Sequence, residues 1–217
     1  INLINQNNIP LVLVDREMPE CQTNFVRCDD YQGGYIAGKH LLELGHRHFL
    51  YLPGPKYNLS QTRRYAGIMD ALSEANVPAS NIREIDYHTV FGSSAESTSS
   101  YKPYEELFFP VNYTAVIGFN DLQSYSAMEI LQKKGYRIPE DISLISFDHL
   151  RKTHTYLPPL TSIADNSEKS IADTAVSILL DKIRNPSSEI SSEVLPVSIF
   201  DDHTTGPINE TFAHSFE

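Results

Sequence analysis

The chain of 217 residues is 41% hydrophobic and carries a formal net charge of -11, so it can bury a sizeable core as one α/β domain or two small lobes. Its acidity argues against nucleic-acid binding by this segment, because neutralising phosphates needs a basic stripe and the sequence has none. No apolar stretch approaches the ~20 residues of a membrane span, no leader opens the chain, and Cys21 and Cys28 are too few for a disulfide framework. The simplest compartment is therefore a reducing cytoplasm.

Short apolar runs alternate with amphipathic segments along the chain. The runs predict five buried strands, at 10–14, 49–52, 82–85, 115–117 and 142–147. Apolar residues at helical spacing predict four helices, at 34–44, 61–75, 121–134 and 168–183. We expect Asn120 or Asp121 to cap the third helix and a capping box of Asp165 and Glu168 to begin the fourth. A strand followed by a helix, repeated, predicts a parallel doubly wound sheet.

Two segments lack such periodicity. Residues 91–103 are rich in serine and are expected to form a surface loop or the start of a weak helix, and residues 208–217 are expected to form a loosely ordered tail.

Each predicted strand ends in a polar residue or a Gly-Pro turn. The five endings are Asp15, Gly54-Pro55, Asp86-Tyr87, Asn120-Asp121 and Asp148. In open parallel sheets, ligands bind just beyond the carboxyl ends of the strands, where such groups can converge. The sequence therefore predicts a crevice for a small molecule.

Local motifs narrow the class of protein. Residues 138–148 (IPEDISLISFD), followed by 157–163 (LPPLTSI), resemble a recognisable stretch of the LacI/GalR family of bacterial transcription regulators. Residues 29–47 resemble the first crossover region of that family, and residues 54–67 resemble its effector loop and the helix that follows. Residues 195–198 with Thr204-Thr205 resemble its closing strand, so the resemblance extends to about Pro207.

This resemblance implies an α/β fold like that of periplasmic sugar-binding proteins, with two lobes, parallel doubly wound sheets and three crossovers. The N-terminal lobe would comprise 1–38 and 165–193, and the C-terminal lobe 39–164 and 194–207. Compared with the family, the N-terminal lobe is expected to be incomplete, with upstream residues missing and residues 1–5 ending a helix. Such a lobe would leave the strand at 11–14 partly unpaired.

The resemblance also implies which residues bind the effector. Arg64 matches the arginine after the Gly-Pro loop, whose planar fork can hold two adjacent hydroxyls or a carboxylate; the alternative is a surface arginine, as expected for Arg63. Asp148 resembles the aspartate that accepts hydrogen bonds from sugar hydroxyls, and a helix or turn cap is its alternative. Asn120 could supply both a donor and an acceptor to a hydroxyl.

Four further residues are candidates for the same crevice. Tyr87 lies where the family often has a ring that stacks on the effector, although a core or surface tyrosine is the alternative. Ser60 matches a loop position that touches the effector, or it is the N-cap of the following helix. Asp15 and Gln32 would lie at the N-terminal-lobe edge of the cleft.

The function implied is an effector-sensing domain whose ligand, a sugar or sugar derivative, binds between the lobes and changes the affinity of the regulator for operator DNA. An N-terminal helix-turn-helix, absent from this sequence, would contact the DNA, and the regulator would be a cytoplasmic homodimer without membrane contact. His149 and Ser167 depart from residues often found in the family, which leaves the effector's identity open. Few basic residues surround Ser60 and Arg64, and this favours a neutral sugar over a phosphorylated one.

Two other classes of protein are alternatives to a regulator. A stand-alone sugar-binding protein of a transport system shares the fold, and a signal peptide rather than a helix-turn-helix upstream of Ile1 would distinguish it. An enzyme is not expected, because the sequence contains no nucleophile elbow, Walker loop or dinucleotide-binding motif. The positions of His40, His46 and His48 at a helix cap and a strand start do not favour a metal site, and no cofactor is expected.

Overall fold

The computed structural model describes residues 1–85 and 104–214. In chain order the helices and strands are α1 (Asn2–Gln6), β1 (Val12–Val14), β2 (Asn24–Cys28), α2 (Asp30–Glu43), β3 (Phe49–Leu52), α3 (Leu59–Glu74), β4 (Ile82–Glu84), β5 (Ala115–Gly118), α4 (Asp121–Lys133), β6 (Ser143–Phe147), β7 (Thr161–Asp165), α5 (Ile171–Arg184), β8 (Ser192–Leu195), β9 (Val197–Phe200) and α6 (Glu210–Ala213). None of these helices is long and apolar enough to cross a lipid bilayer.

The chain divides into two compact units. The first comprises Ile1–Asp30 and Asp165–Ser198, and the second Tyr31–Ala164 and Ile199–Glu217. These boundaries differ from the expected lobes in two places. Residues 31–38 belong to the second unit, in which α2 packs tightly on α3, and residues 194–198 belong to the first unit, in which β8 pairs with β2.

A three-stranded parallel sheet, in the order β1-β2-β8, forms the first unit. Helix α5 packs on this sheet through Ala175 and Ile178, which are buried with Val26 and Leu195. Strand β2 was not predicted, because Asn24 and the charged Arg27 interrupt its apolar residues. The structure explains the buried Asn24: its side chain donates to the carbonyl of Leu11 and accepts from the amide of Ser191.

Helix α5 begins later than its predicted capping box. Ser170 is the N-cap, and its hydroxyl accepts the amide of Asp173, so the helix starts at Ile171. Asp165 instead accepts hydrogen bonds from the amide and the hydroxyl of Ser167. The prediction of a box formed by Asp165 and Glu168 is therefore wrong.

A six-stranded sheet, in the order β4-β3-β5-β6-β7-β9, lies in the second unit except for Asp165 at the end of β7 and Val197 and Ser198 at the start of β9. The pairs β3–β4, β3–β5, β5–β6 and β6–β7 are parallel, which confirms the predicted α/β class. Strands β3, β5 and β6 are buried along their whole length, as their apolar runs predict. The expected loose tail is wrong for residues 210–213, which form α6, and Phe212 packs edge-on against Tyr136.

Two glycines bring helices α2 and α3 into backbone contact. A Cβ atom on Gly34 would lie 2.0 Å from the carbonyl oxygen of Arg64, and one on Gly67 would lie 2.0 Å from the carbonyl oxygen of Tyr31. No side chain fits at either position, because such distances are far inside van der Waals contact. This helix crossing fixes the position of the α3 backbone at Arg64.

Candidate functional site

Arg64 is a buried cation at the carboxyl ends of the strands of the second unit. It is 6% exposed, and its Nη1 donates to the carbonyl of Phe119 at 2.6 Å. Its guanidinium carbon lies 5.0 Å from the ring centroid of Phe119 and 4.5 Å from that of Phe147. Both rings attract the cation through their π faces, which offsets part of the cost of its burial.

Asp148 is the acidic partner of this arginine. Its Oδ1 lies 3.6 Å from Nη2 of Arg64, and its side chain is 39% exposed. Asp148 directly follows β6, and its amide donates to the carbonyl of Ile163 in β7. The pair therefore combines a guanidinium enclosed by protein with a carboxylate that reaches solvent.

Of the two residues that could cap α4, Asn120 is the cap and Asp121 is not. Asn120 is the N-cap of α4, and its Oδ1 accepts the amide of Gln123 at 3.0 Å, while its Nδ2 group is a donor that the cap does not use. Asp121, the other candidate for the cap, is 1% exposed and accepts the amide of Leu150 at 2.7 Å and the hydroxyl of Ser162 at 2.9 Å. Burial raises the pKa of Asp121, while the hydrogen bonds it accepts act in the opposite direction.

The loop before α3 is anchored by residues that the sequence did not single out. Asn58 is the N-cap and accepts the amide of Ser60, so the alternative reading of Ser60 as the cap is wrong. Ser60 lies one helical turn before Arg64 and is buried. Gln61 accepts both the hydroxyl of Tyr51 at 2.9 Å and the amide of Gly54 at 2.7 Å, and these bonds fix the Gly-Pro loop.

The remaining candidates lie elsewhere. Asp15 belongs to the first unit, follows β1 with a φ of +53°, and donates its amide to Val26. Gln32 lies in the first turn of α2 in the second unit and is exposed. Tyr87 lies outside the described residues. The structure thus brings together Arg64, Asp148 and the strand end that carries Asn120.

Sequence reasoning missed the two aromatic partners of Arg64. Phe119 and Phe147 each come immediately before a predicted polar strand end, at Asn120 and Asp148. An aromatic residue at the last buried position of two nearby parallel strands is the signal that could have indicated them.

A cavity of about 410 Å³ lies within the first unit, at the amino ends of β1 and β2. Its polar lining includes Asn5, Asn8, Gln22 and Lys182. None of the candidate effector residues within 1–85 and 104–214 lines it. Within those ranges, no three His, Cys, Asp or Glu side chains are grouped so that they could hold a metal ion.

Comparison with known proteins defines the class to which this fold belongs. Residues 39–205 match the periplasmic binding protein-like domain, and the chain is a member of that family. Among its relatives are proteins called HTH-type transcriptional repressor PurR. The one from Mannheimia succiniciproducens is 32% identical over 176 residues, which are 81% of this chain and 51% of that protein. The one from Escherichia coli is 34% identical over 194 residues, which are 87% of this chain and 54% of that protein. The chain thus spans about half the length of these relatives.

Solved structures agree with this assignment. A LacI family transcriptional regulator from Enterococcus faecium with bound ribose superposes with a TM-score of 0.78 at 26% identity, covering 95% of this chain and 74% of that one. The complex of the transcriptional regulator CelR with cellobiose gives a TM-score of 0.75 at 25% identity, covering 93% of this chain and 61% of that one.

Proposed function

We propose that this chain is the effector-sensing domain of a LacI/GalR-type transcription regulator, and that its effector is a neutral sugar or sugar derivative. The observation that carries the proposal is the Arg64–Asp148 pair at the carboxyl ends of β3, β5 and β6. Ribose and cellobiose bound to two structural relatives support the choice of ligand class.

The chemistry of the pair suits a polyol. A sugar hydroxyl is both a donor and an acceptor, so it can donate to the Asp148 carboxylate and accept from the guanidinium. The distance of 3.6 Å between Nη2 of Arg64 and Oδ1 of Asp148 is longer than a hydrogen bond, so the two groups can each bind a ligand hydroxyl. Arg64 is already ordered by the Phe119 carbonyl and two rings, so binding does not have to restrict its rotamers.

Other residues would complete the site. We propose that Asn120 contributes its Nδ2 donor, and that Ser60 contacts the ligand from the same face of α3 as Arg64. Asp15, Gln32 and Tyr87 are proposed as additional contacts on the strength of the family resemblance.

The regulatory role is proposed from the relatives named as repressors. Effector binding would change the operator affinity of a cytoplasmic homodimer, through a coupling free energy of about 1–3 kcal/mol. Operator DNA would be contacted by a helix-turn-helix outside this sequence, since the relatives are HTH-type repressors. The domain would bind its ligand without turnover, as expected for a relative of transcriptional repressors.

Isothermal titration with ribose, cellobiose, a sugar phosphate and a nucleobase tests the ligand class. We expect a neutral sugar to bind, and Arg64→Lys and Asp148→Asn each to weaken binding at least about tenfold, because each removes a directed hydrogen-bonding group. Arg137→Lys and Asp141→Asn are matched controls, since they alter an Arg–Asp pair on the surface of the same unit. Binding of the nucleobase alone, or equal loss in the control variants, would contradict the proposal.

A further inference from the structure

The turn that carries Asp148 has an unfavourable backbone conformation. Asp148 and His149 have φ values of +101° and +50°, in a region that residues other than glycine rarely adopt. Two consecutive residues of this kind persist only where the surrounding structure holds them. The groups that hold this turn therefore determine where the Asp148 carboxylate lies.

One buried side chain holds the turn at two points. The Oδ2 atom of Asp121 accepts the amide of Leu150 at 2.7 Å, and its Oδ1 accepts the hydroxyl of Ser162 at 2.9 Å. The same Ser162 oxygen accepts the amide of His149 at 2.9 Å. Asp121 thus holds both backbone amides that follow Asp148. It binds the amide of Leu150 directly, and it binds the amide of His149 through the hydroxyl of Ser162.

Asp121 is not needed for capping, because Asn120 already accepts the amide of Gln123 at the start of α4. A carboxylate that is 1% exposed must be stabilised by its surroundings. Its position in the first turn of a 13-residue helix places it at the positive end of the helix dipole, and two donors satisfy its oxygens. The structure therefore retains a buried carboxyl group whose hydrogen bonds are directed at the Asp148 turn.

We propose that Asp121 is a positioning residue for effector binding, which holds the turn at 148–150 so that the Asp148 carboxylate faces Arg64. This inference rests on the proposed function of the Arg64–Asp148 site. Asp121→Asn is the informative variant, because an amide has the same shape but opposes one of the two donors with an NH2 group.

Amide hydrogen exchange tests the positioning without any ligand. In Asp121→Asn we expect the Leu150 amide to exchange at least about tenfold faster, while the amide of Ile117 in the neighbouring β5 keeps its rate. Asp141→Asn is the matched control, because Asp141 also accepts a backbone amide, that of Arg137, at 2.9 Å. Unchanged exchange at Leu150 would overturn the inference. If Asp121→Asn does not fold, Ser162→Ala tests the same turn through the amide of His149.

Titration with ribose then links the turn to binding. We expect Asp121→Asn to weaken ribose binding at least about fivefold. Because Asp121 and Ser162 act through one turn, we expect the double variant Asp121→Asn, Ser162→Ala to bind ribose no more weakly than the worse of the two single variants. Faster exchange at Leu150 with unchanged ribose affinity would overturn the positioning role, provided that Arg64→Lys weakens binding. If the wild-type protein fails to bind any sugar, the proposed function is contradicted, and exchange at Leu150 decides whether Asp121 holds the turn.

Discussion

His46 makes the stability of the second unit depend on pH in a direction that the structure defines. Its side chain is 2% exposed, with Nε2 within 3.0 Å of the Gly206 carbonyl and Nδ1 within 2.9 Å of the Thr114 hydroxyl. Burial is the main cause that lowers the pKa of His46 from 6.5 to about 4. The unfolded chain therefore binds a proton at mildly acidic pH, whereas the folded chain does not.

The size of this pH effect on the free energy of unfolding follows from proton linkage. Stability rises with pH wherever the unfolded state binds more protons, so the contribution of His46 is complete above pH 6.5 and falls as the pH drops toward 4. One pKa unit corresponds to ~1.4 kcal/mol, so the difference between 6.5 and about 4 corresponds to ~3 kcal/mol of unfolding free energy. This is a large fraction of the stability of a domain of ordinary size.

Urea unfolding across this pH interval measures the effect. The comparison is His46→Gln, which keeps a donor and an acceptor but does not titrate. We expect this variant to be less stable at neutral pH, and its deficit relative to the wild type to shrink on acidification. Other titrating groups, such as Asp121, cancel in this comparison because both proteins contain them. Parallel pH profiles for the two proteins would refute the assignment of the acid sensitivity to His46.

Three further substitutions test the packing and the site. Gly67→Ala should destabilise by ~1–3 kcal/mol, since its methyl group would meet the Tyr31 carbonyl at 2.0 Å; an unchanged urea midpoint would contradict the close helix crossing. Ser170→Ala should cost ~1 kcal/mol of unfolding free energy through loss of the α5 cap, whereas Ser170→Gly should cost only a few tenths of a kcal/mol. Equal losses in the two variants would exclude the cap as the cause. Phe147→Leu should weaken effector affinity severalfold in calorimetry by removing one aromatic face from Arg64, and unaltered affinity would count against that contact.

Hydrophobic runs made the centre of the second unit predictable. Strands such as β3 and β5 are buried on both faces, so they appear in the sequence as unbroken apolar segments. Strand β2 was missed because its polar residues are satisfied by hydrogen bonds from distant parts of the chain, as for Asn24 with Leu11 and Ser191. Such partners are visible only once the chain is folded.

Caps and site geometry were less predictable for a related reason. Asn58, Asn120 and Ser170 lie within three residues of other plausible caps, and local backbone angles decide among them. The resemblance to the LacI/GalR family indicated Arg64 and Asp148 as the binding pair, a role that stays a prediction. It did not indicate that Arg64 lies between two phenyl rings, because that arrangement depends on how neighbouring strands align.

The contact between Gly34 and the Arg64 backbone has a consequence for how the specificity of such a domain can change during evolution. Because the carbonyl of Arg64 occupies the space of a side chain at position 34, the arginine cannot move along or away from α2 without a rearrangement of both helices. New ligands would therefore be accommodated by exchanging residues around a stationary guanidinium rather than by shifting it. Two mutational libraries can be compared, one that varies the residues around Arg64 and keeps Gly34 and Gly67, and one that varies the two glycines. The first should contain the larger share of folded proteins with altered ligand preference.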